Sequence, residues 1–407
     1  RRVGDTFAAF RLSSGDQLEA LGEALNSSIS MKKIAHIITG LGVGGAETFL
    51  LRLIPELEKS GFQSVVIYLT GTGDYVDAYT KKGISVVPVG ITSPVHAVIG
   101  FWRLRAILKR EEPDIVQTWM YHANFLGGLV AKMMKIPSMF AVLQSNLSPK
   151  VNKKLTTVMI RIGAKLSKLN SGAVLYDSDA ARAAHEAVGF DSTKSIVIPN
   201  GVDPEKFMPD RSLRDEVRAK LGIPPDVIVI GHVARYDPQK DHRNFLQAVN
   251  QIRTRNASLH VIMVGERVDW QNSDLTGELD RGEVSQWLHL LGPRSDLAKL
   301  YNGMDIFCSS SIGESCPNVV LEAMIMGLPC VATDVGDVRQ MVGDIGLVVP
   351  PSSVEKLAIA LTNVIDSDAD KRRSIGASLR QRALQEYTLG RAADRFAEVY
   401  KQRLTPG

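Results

Sequence analysis

Short apolar runs and amphipathic stretches alternate along the chain from about residue 32 onward, in two successive series. In the first series, runs at 34–38, 64–69, 84–89, 115–118, 138–143, 172–175 and 195–198 are rich in Val and Ile. A strand wetted on one face alternates apolar and polar residues. Runs that stay apolar on both faces predict the strands of a parallel sheet covered by helices. Between these runs the period becomes helical. Over 46–59, Phe49, Leu50, Leu53 and Leu57 share one face, and Gly61 follows as a stop signal. A second series, at 227–233, 259–264, 287–290, 306–308, 329–332 and 346–349, repeats the pattern. Between the two series, Pro199-Asn200-Gly201-Val202-Asp203-Pro204 is dense in turn formers and suits a domain junction. The expected fold class is α/β, with two Rossmann-like doubly wound domains over 31–203 and 204–388. A last helical stretch, 389–407, has no strand after it and is free to pack back on the first domain. Two such domains in series form a cleft between the carboxyl ends of two sheets, where ligands of open α/β sheets bind.

Composition narrows the class. A length of 407 residues suits two or three domains, and 44% hydrophobic with 23% charged residues excludes disordered, fibrous and disulfide-scaffold chains. Cys308, Cys316 and Cys330 show no CxxC spacing and cannot all pair, so buried thiols in a reducing cytoplasm are expected. Residues 1–30 show no leader-like apolar core, and Met31-Lys32-Lys33-Ile34 reads like a natural start. The expectation is an appended or flexible segment. The longest uncharged stretch, 83–102, is broken by Pro88 and Pro94 and predicts a strand, a loop and a helix start rather than a membrane span.

Charge is uneven. The whole chain carries only +4, yet residues 31–200 hold 20 Lys and Arg against 12 Asp and Glu. Lys150, Lys153, Lys154, Arg161, Lys165 and Lys168 follow one another without an intervening acid, and Leu155, Val158, Met159, Ile162 and Leu166 recur among them at helical spacing. This basic amphipathic helix over 150–168 has two readings: a solvated face, or peripheral contact with an anionic membrane or lipid-phosphate acceptor. No aromatic residues are interleaved with the cations, which argues against nucleic acid.

Three loops carry candidate chemistry. Gly40-Leu41-Gly42-Val43-Gly44-Gly45 follows the first strand and opens the first helix, where glycines let backbone N–H groups approach a phosphate. A ligand-free tight turn is the other reading. A dinucleotide site also wants an acid at the end of the second strand, but that strand ends Ile67-Tyr68-Leu69-Thr70-Gly71. In the second series, Arg235 and Lys240 follow the first strand, placed to neutralise a departing diphosphate. Third, Glu314 and Glu322 stand eight apart around the start of an otherwise apolar helix. Buried carboxylates need partners, and ribose or sugar hydroxyls are suitable ones.

Together these loops resemble the retaining glycosyltransferases of family 4, which have the GT-B fold. The residues that carry the resemblance are Gly44-Gly45-Ala46-Glu47, Pro199-Asn200-Gly201-Val202-Asp203, Arg235 with Lys240, and Gly313-Glu314 with Glu322-Ala323-Met324, over about residues 32–400. The resemblance implies two domains facing across a cleft and transfer of a hexose from a nucleotide diphosphate sugar to a glycan or lipid-linked acceptor. It implies no metal and no other cofactor. By position, Gly44 and Gly45 would approach the donor, Arg235 and Lys240 the diphosphate, Glu314 the sugar hydroxyls, and Glu322 the ribose. Val319, Gly292 and Arg294 fall where the family lines its donor pocket. The chain departs from the family at Trp119, where many members carry a histidine. His122 would then serve the transferred sugar or acceptor, or be a satisfied structural histidine. Trp119 would either stack on an acceptor sugar ring or pack in the core. The expected location is the cytoplasm, at the inner face of the cell membrane. Competing readings are a sugar-nucleotide epimerase of the same fold, a nicotinamide oxidoreductase, and a non-catalytic sugar-nucleotide binder.

Overall fold

The structure, a computed structural model, describes residues 31–404 apart from 43, 72, 94–95, 146, 148–153, 170–171, 256–257, 278 and 280. Residues 1–30, and Lys150 and Lys153 of the basic stretch, lie outside the described residues.

The two series of apolar runs form two parallel sheets. The first contains β1 (Lys32–Ile38), β2 (Phe62–Thr70), β3 (Ser85–Ile91), β4 (Ile115–Trp119), β5 (Ser138–Val142), β6 (Val174–Tyr176) and β7 (Ser195–Val197), in the order β3-β2-β1-β4-β5-β6-β7. The second contains β8 (Val229–Val233), β9 (His260–Val264), β10 (Leu288–Leu290), β11 (Ile306–Ser309), β12 (Cys330–Thr333) and β13 (Leu347–Val349), in the order β10-β9-β8-β11-β12-β13. Their longer helices are α1 (Gly45–Lys59), α2 (His96–Glu111), α3 (Met120–Met133), α4 (Lys154–Leu169), α5 (Asp179–Ala187), α6 (Arg211–Leu221), α7 (His242–Arg253), α8 (Asn318–Ile325), α9 (Val354–Ile365), α10 (Ala369–Glu386) and α11 (Leu389–Leu404). The central strands are buried along their whole length: β4, β5 and β8 expose no residue. That is why they read as unbroken apolar runs.

Strand order reverses between β1 and β4 in the first sheet, and between β8 and β11 in the second. At such a switch point the loops leaving adjacent strands turn to opposite faces and open a crevice. Four loops are thereby fixed as cavity walls: those after β1, β4, β8 and β11.

The chain crosses between domains twice, at one place. Val202 forms a bridge with Thr388; its N–H donates to the Tyr387 carbonyl at 2.9 Å, and its own carbonyl accepts from Leu389 N–H at 3.0 Å. Gly201 is required here, since a Cβ would lie 2.5 Å from the Thr388 carbonyl oxygen. After this second crossing α11 packs on α1 in the core of the first domain. Phe396 lies 6.2 Å from Phe49 and 5.9 Å from Trp119, ring centre to ring centre, and Tyr400 lies 5.4 Å from Phe62.

Candidate active site

The four switch-point loops, with residues after β5 and β6 and from the junction, enclose a cavity of about 620 Å³ between the domains. Gly45, Ala46 and Glu47 at the start of α1 form one wall. Gly44 caps this helix, and the Glu47 carboxylate folds over it: a Cβ on Gly44 would fall 2.2 Å from Oε2. Met120, the first residue after β4, lines the cavity with φ +68, a left-handed conformation that costs a side-chain-bearing residue on the order of 1 kcal/mol or more. Leu143, Gln144, Ser145, Asp177 and Asn200 complete the first domain's share, and Arg235, Gln239, Lys240 and Gly313 through Val319 come from the second.

The charged centre of the cavity is a bond between Lys240 Nζ and the Glu314 carboxylate, which also accepts from Ser311 Oγ at 2.7 Å. Both side chains are largely shielded, with 19% and 12% of their surface exposed, so solvent screens their interaction less than it does a surface ion pair. Arg235 reaches into solvent and holds Asp237 only loosely, at 3.4 Å. Behind this centre, Ser310 Oγ donates to the Lys240 and Asp241 carbonyls at 2.8 and 3.1 Å and itself meets His232 Nε2 at 3.1 Å. The loop that carries Lys240 is thus tied to the strand end that carries Glu314.

Residues 314–316 are held from the opposite domain, one after another. Ser145 Oγ donates to the Glu314 carbonyl, Ser315 Oγ donates to Asp177, and Asn200 Nδ2 donates to the Cys316 carbonyl at 3.3 Å. Asp337 reinforces the junction. Its two carboxylate oxygens accept from Asp179 N–H at 2.7 Å and Ala180 N–H at 2.9 Å, at the start of α5. A carboxylate at a helix N-terminus gains from both the free N–H groups and the helix dipole. The aim of Glu314 is therefore set jointly by both domains.

Burial pushes the Asp177 carboxyl up from 3.8 to about 7, against the hydroxyl donors Ser315 and Ser178 and with the Asp337 charge adding to the rise. The folded protein thus keeps a proton there that the unfolded chain releases near pH 3.8. The group's contribution to stability is full below about pH 4, declines as pH rises to about 7, and stays lost above. Asp177→Asn keeps an acceptor for Ser315 and removes the ionisation. We expect it to gain about 2–4 kcal/mol over the parent between pH 4 and pH 8, read from urea denaturation across that range. Parallel stability curves for the two proteins would contradict this.

Of the residues expected from sequence, Gly45, Arg235, Lys240, Glu314 and Val319 line this cavity. Gly44 supports it from the α1 cap. The other expected residues lie off this lining, and for Trp119 burial overturns the acceptor role. Trp119 is fully buried at the end of β4; its Nε1 donates to His36 Nδ1 at 3.3 Å, and it packs between Phe49 and Phe396. It is a core residue and presents no face to an acceptor. His122 lies on α3, half-buried, outside the cavity lining, and burial lowers its pKa. Arg294 is turned to a bidentate pair with Asp296 at 2.8 and 2.6 Å, and Gly292 makes a left-handed turn at φ +65 beyond β10; neither lines the cavity. Glu322 is also off the lining: it is buried, accepts from the Tyr301 hydroxyl at 3.1 Å, and burial raises its pKa to about 7 against Arg52 and Lys206.

Sequence reasoning missed Ser145, Asp177, Asn200 and Ser315 as cavity residues. Asn200 was visible as a turn former and as part of the junction motif, not as a cavity residue. Its buried Oδ1 has no partner among the described residues, and neither has that of Asn318.

Two doubly wound parallel-sheet domains that enclose a polar cavity between their carboxyl edges define the GT-B class of glycosyltransferase folds. Anabaena HepE, solved in complex with UDP-glucose, matches over 91% of this chain and 99% of that chain, with a TM-score of 0.78 at 21% identity. WaaG, a glycosyltransferase involved in lipopolysaccharide biosynthesis, matches over 92% of this chain and all of its own, with a TM-score of 0.68 at 16% identity. A Glycosyltransferase Family 4 model matches residues 43–206, and a model of glycosyl transferases group 1 matches residues 225–367. Together they take in every strand of the two sheets except β1, and the chain belongs to the glycosyltransferases of this family-4 type. Among its relatives, the UDP-Gal:alpha-D-GlcNAc-diphosphoundecaprenol alpha-1,3-galactosyltransferase of Escherichia coli is 24% identical over 390 residues, covering 92% of this chain and 98% of that protein. A D-inositol 3-phosphate glycosyltransferase of Rhodococcus erythropolis is 30% identical over 234 residues, 55% of this chain and 52% of that protein.

Proposed function

We propose that this glycosyltransferase moves a hexose from a nucleoside diphosphate sugar, of the UDP type, to a glycan or lipid-linked acceptor with retention of anomeric configuration and without a resident metal. The observation that carries the reading is the Lys240–Glu314 pair beside Arg235 on the two switch-point loops of the second sheet, inside a cavity large enough for a sugar nucleotide. In transfer, the bond from the anomeric carbon to the diphosphate oxygen breaks and negative charge grows on the leaving group. Lys240 and Arg235 stabilise that charge, and Glu314 accepts hydroxyls of the transferred sugar. Cations already held in place lower the barrier without reorganising at the moment of reaction. The bound UDP-glucose of Anabaena HepE supports the donor class. The diphosphoundecaprenol named for the Escherichia coli relative supports a lipid-linked acceptor.

A thermal-shift panel of UDP, GDP, ADP, their sugar conjugates and NAD(H) tests the donor. A ligand bound only by the folded state at a hundredfold excess over its Kd adds about 2.7 kcal/mol of apparent stability. A shift with one nucleoside diphosphate, larger with its sugar attached, is expected. A shift with NAD(H) alone would return the oxidoreductase reading. Product anomers read by NMR test retention, and activity after chelation tests independence from metal.

For Glu322 the ribose contact is proposed on the condition that donor entry uncovers its carboxylate. Glu322→Ala is then expected to raise the donor KM by about tenfold, the worth of one charged hydrogen bond, with a smaller change in kcat. An unchanged KM would leave Glu322 as the partner of Tyr301 alone.

A further inference from the structure

The first domain turns one layer of helices away from its sheet: α3 packs against α2 on one side and α4 on the other. All three leave the carboxyl edge of the sheet, so their N-terminal ends stand at the edge that holds the cavity. There the surface is apolar. Val98, Ile99 and Trp102 of α2 are 68%, 46% and 57% exposed, and Leu155 and Val158 of α4 are exposed as well. Between them, His122, Phe125 and Leu129 are partly exposed positions of α3, at spacings of three and four, with Phe125 also packed against the core beneath. Single exposed apolar residues are ordinary, whereas a row across three adjacent helices marks a contact surface.

The charge of this layer is equally one-sided. Lys and Arg number four on α2, one on α3 and four on α4, against a single acid, Glu111, which is tied to Lys33 and Arg110. The arrangement is also ordered along α2: apolar side chains come first, and Arg103, Arg105, Lys109 and Arg110 follow. The Arg105 guanidinium sits 6.0 Å over the Trp102 ring. Among the described residues, no helix is long and apolar enough to cross a membrane.

We infer that this face, with α2 as its leading edge, docks on a lipid bilayer that carries anionic headgroups. Val98, Ile99 and Trp102 enter the headgroup–acyl boundary, and the cations behind them lie at phosphate depth. Each half of the pattern matches one layer of the bilayer: apolar burial supplies adhesion, and the cations select anionic lipid. A tryptophan backed by arginine suits an interface that is apolar at one end and wet at the other. The docking is independent of donor chemistry. It rests on the transferase reading only for its use, which is to hold the cavity edge where a lipid-linked acceptor emerges.

The test is pelleting of the full chain with vesicles of phosphatidylcholine, alone or mixed with phosphatidylglycerol, together with tryptophan emission. Binding to the mixed vesicles, a blue shift of emission, weakening by salt and no binding to phosphatidylcholine alone are expected. The pair Val98→Ser with Trp102→Ser, and separately the pair Arg105→Glu with Lys109→Glu, should each weaken binding by roughly tenfold or more. Both variants should keep the parent's melting temperature and nucleotide shifts, which separates lost docking from lost folding and from failure of the donor reading. Absence of parent binding to mixed vesicles would overturn the inference. So would full binding by both variants, or a parent that proves to be a dimer dissociated by the Val98 and Trp102 changes.

Discussion

Lys240→Ala is expected to lower kcat by about 100-fold to 1,000-fold, the loss measured when one preorganised charge-stabilising donor is removed from an active site. Affinity for the free nucleoside should change far less, because the lysine acts where leaving-group charge develops. A second effect adds to the first. Without Lys240, the largely shielded Glu314 carboxylate faces the incoming diphosphate unpaired. Like charges at close range in a shielded cavity repel strongly. The double change Lys240→Ala with Glu314→Gln should therefore lose less than the sum of the single losses, as coupled neighbours do. Steady-state kinetics on the four proteins of the cycle measures this directly. Strict additivity would mean that the two residues do not act together, and a fully active Lys240→Ala would remove the lysine from the chemistry.

Trp119→Ala should cost about 3–5 kcal/mol of stability, as expected for a large aromatic deleted from a closed core. Its ring is fully buried between Phe49 and Phe396, and its Nε1 donates to His36, whose other ring nitrogen meets Ser64 at 3.3 Å. Burial holds the His36 ring neutral, with its pKa lowered to about 3, so this contact stays uncharged through the physiological range. Chemical denaturation gives the stability loss. Acceptor KM, measured where the variant remains folded, should not move. A raised acceptor KM with stability intact would restore the sugar-stacking role that burial argues against.

The architecture was legible because parallel strands covered on both faces must be apolar, and that leaves an unmistakable record in the chain. The loops after β1, β8 and β11 were legible for a related reason: glycine, cation and carboxylate stand there in otherwise apolar surroundings. What stayed hidden is what arises from distance. Ser145, Asp177 and Asn200 sit in sequence stretches of no special character, and they matter only because folding brings them to residues 314–316. Trp119 is the converse case. The end of β4 is a place where a side chain ordinarily faces the cleft, but Phe396, near the far end of the chain, closes over it. The pattern at 314–322 gave both carboxylates equal standing. Glu314 stands in the loop before α8 and faces the cavity, whereas Glu322, within α8, turns inward to Tyr301.

The paired crossing at Val202 and Thr388 makes the second domain an insert. Its two ends lie side by side and are hydrogen-bonded to each other, while α11 returns to complete the core of the first domain. A fragment ending at residue 203 would lack Phe396 and Tyr400 and leave that core open, so the first domain is not an independent N-terminal half. The stretch from 204 to 387, in contrast, can in principle be lifted out and replaced as a single cassette without disturbing the chain on either side. Exchanging the second domain of such an enzyme is then a cassette replacement, provided the newcomer brings its own counterparts of Ser315 and Asp337 to meet the first domain.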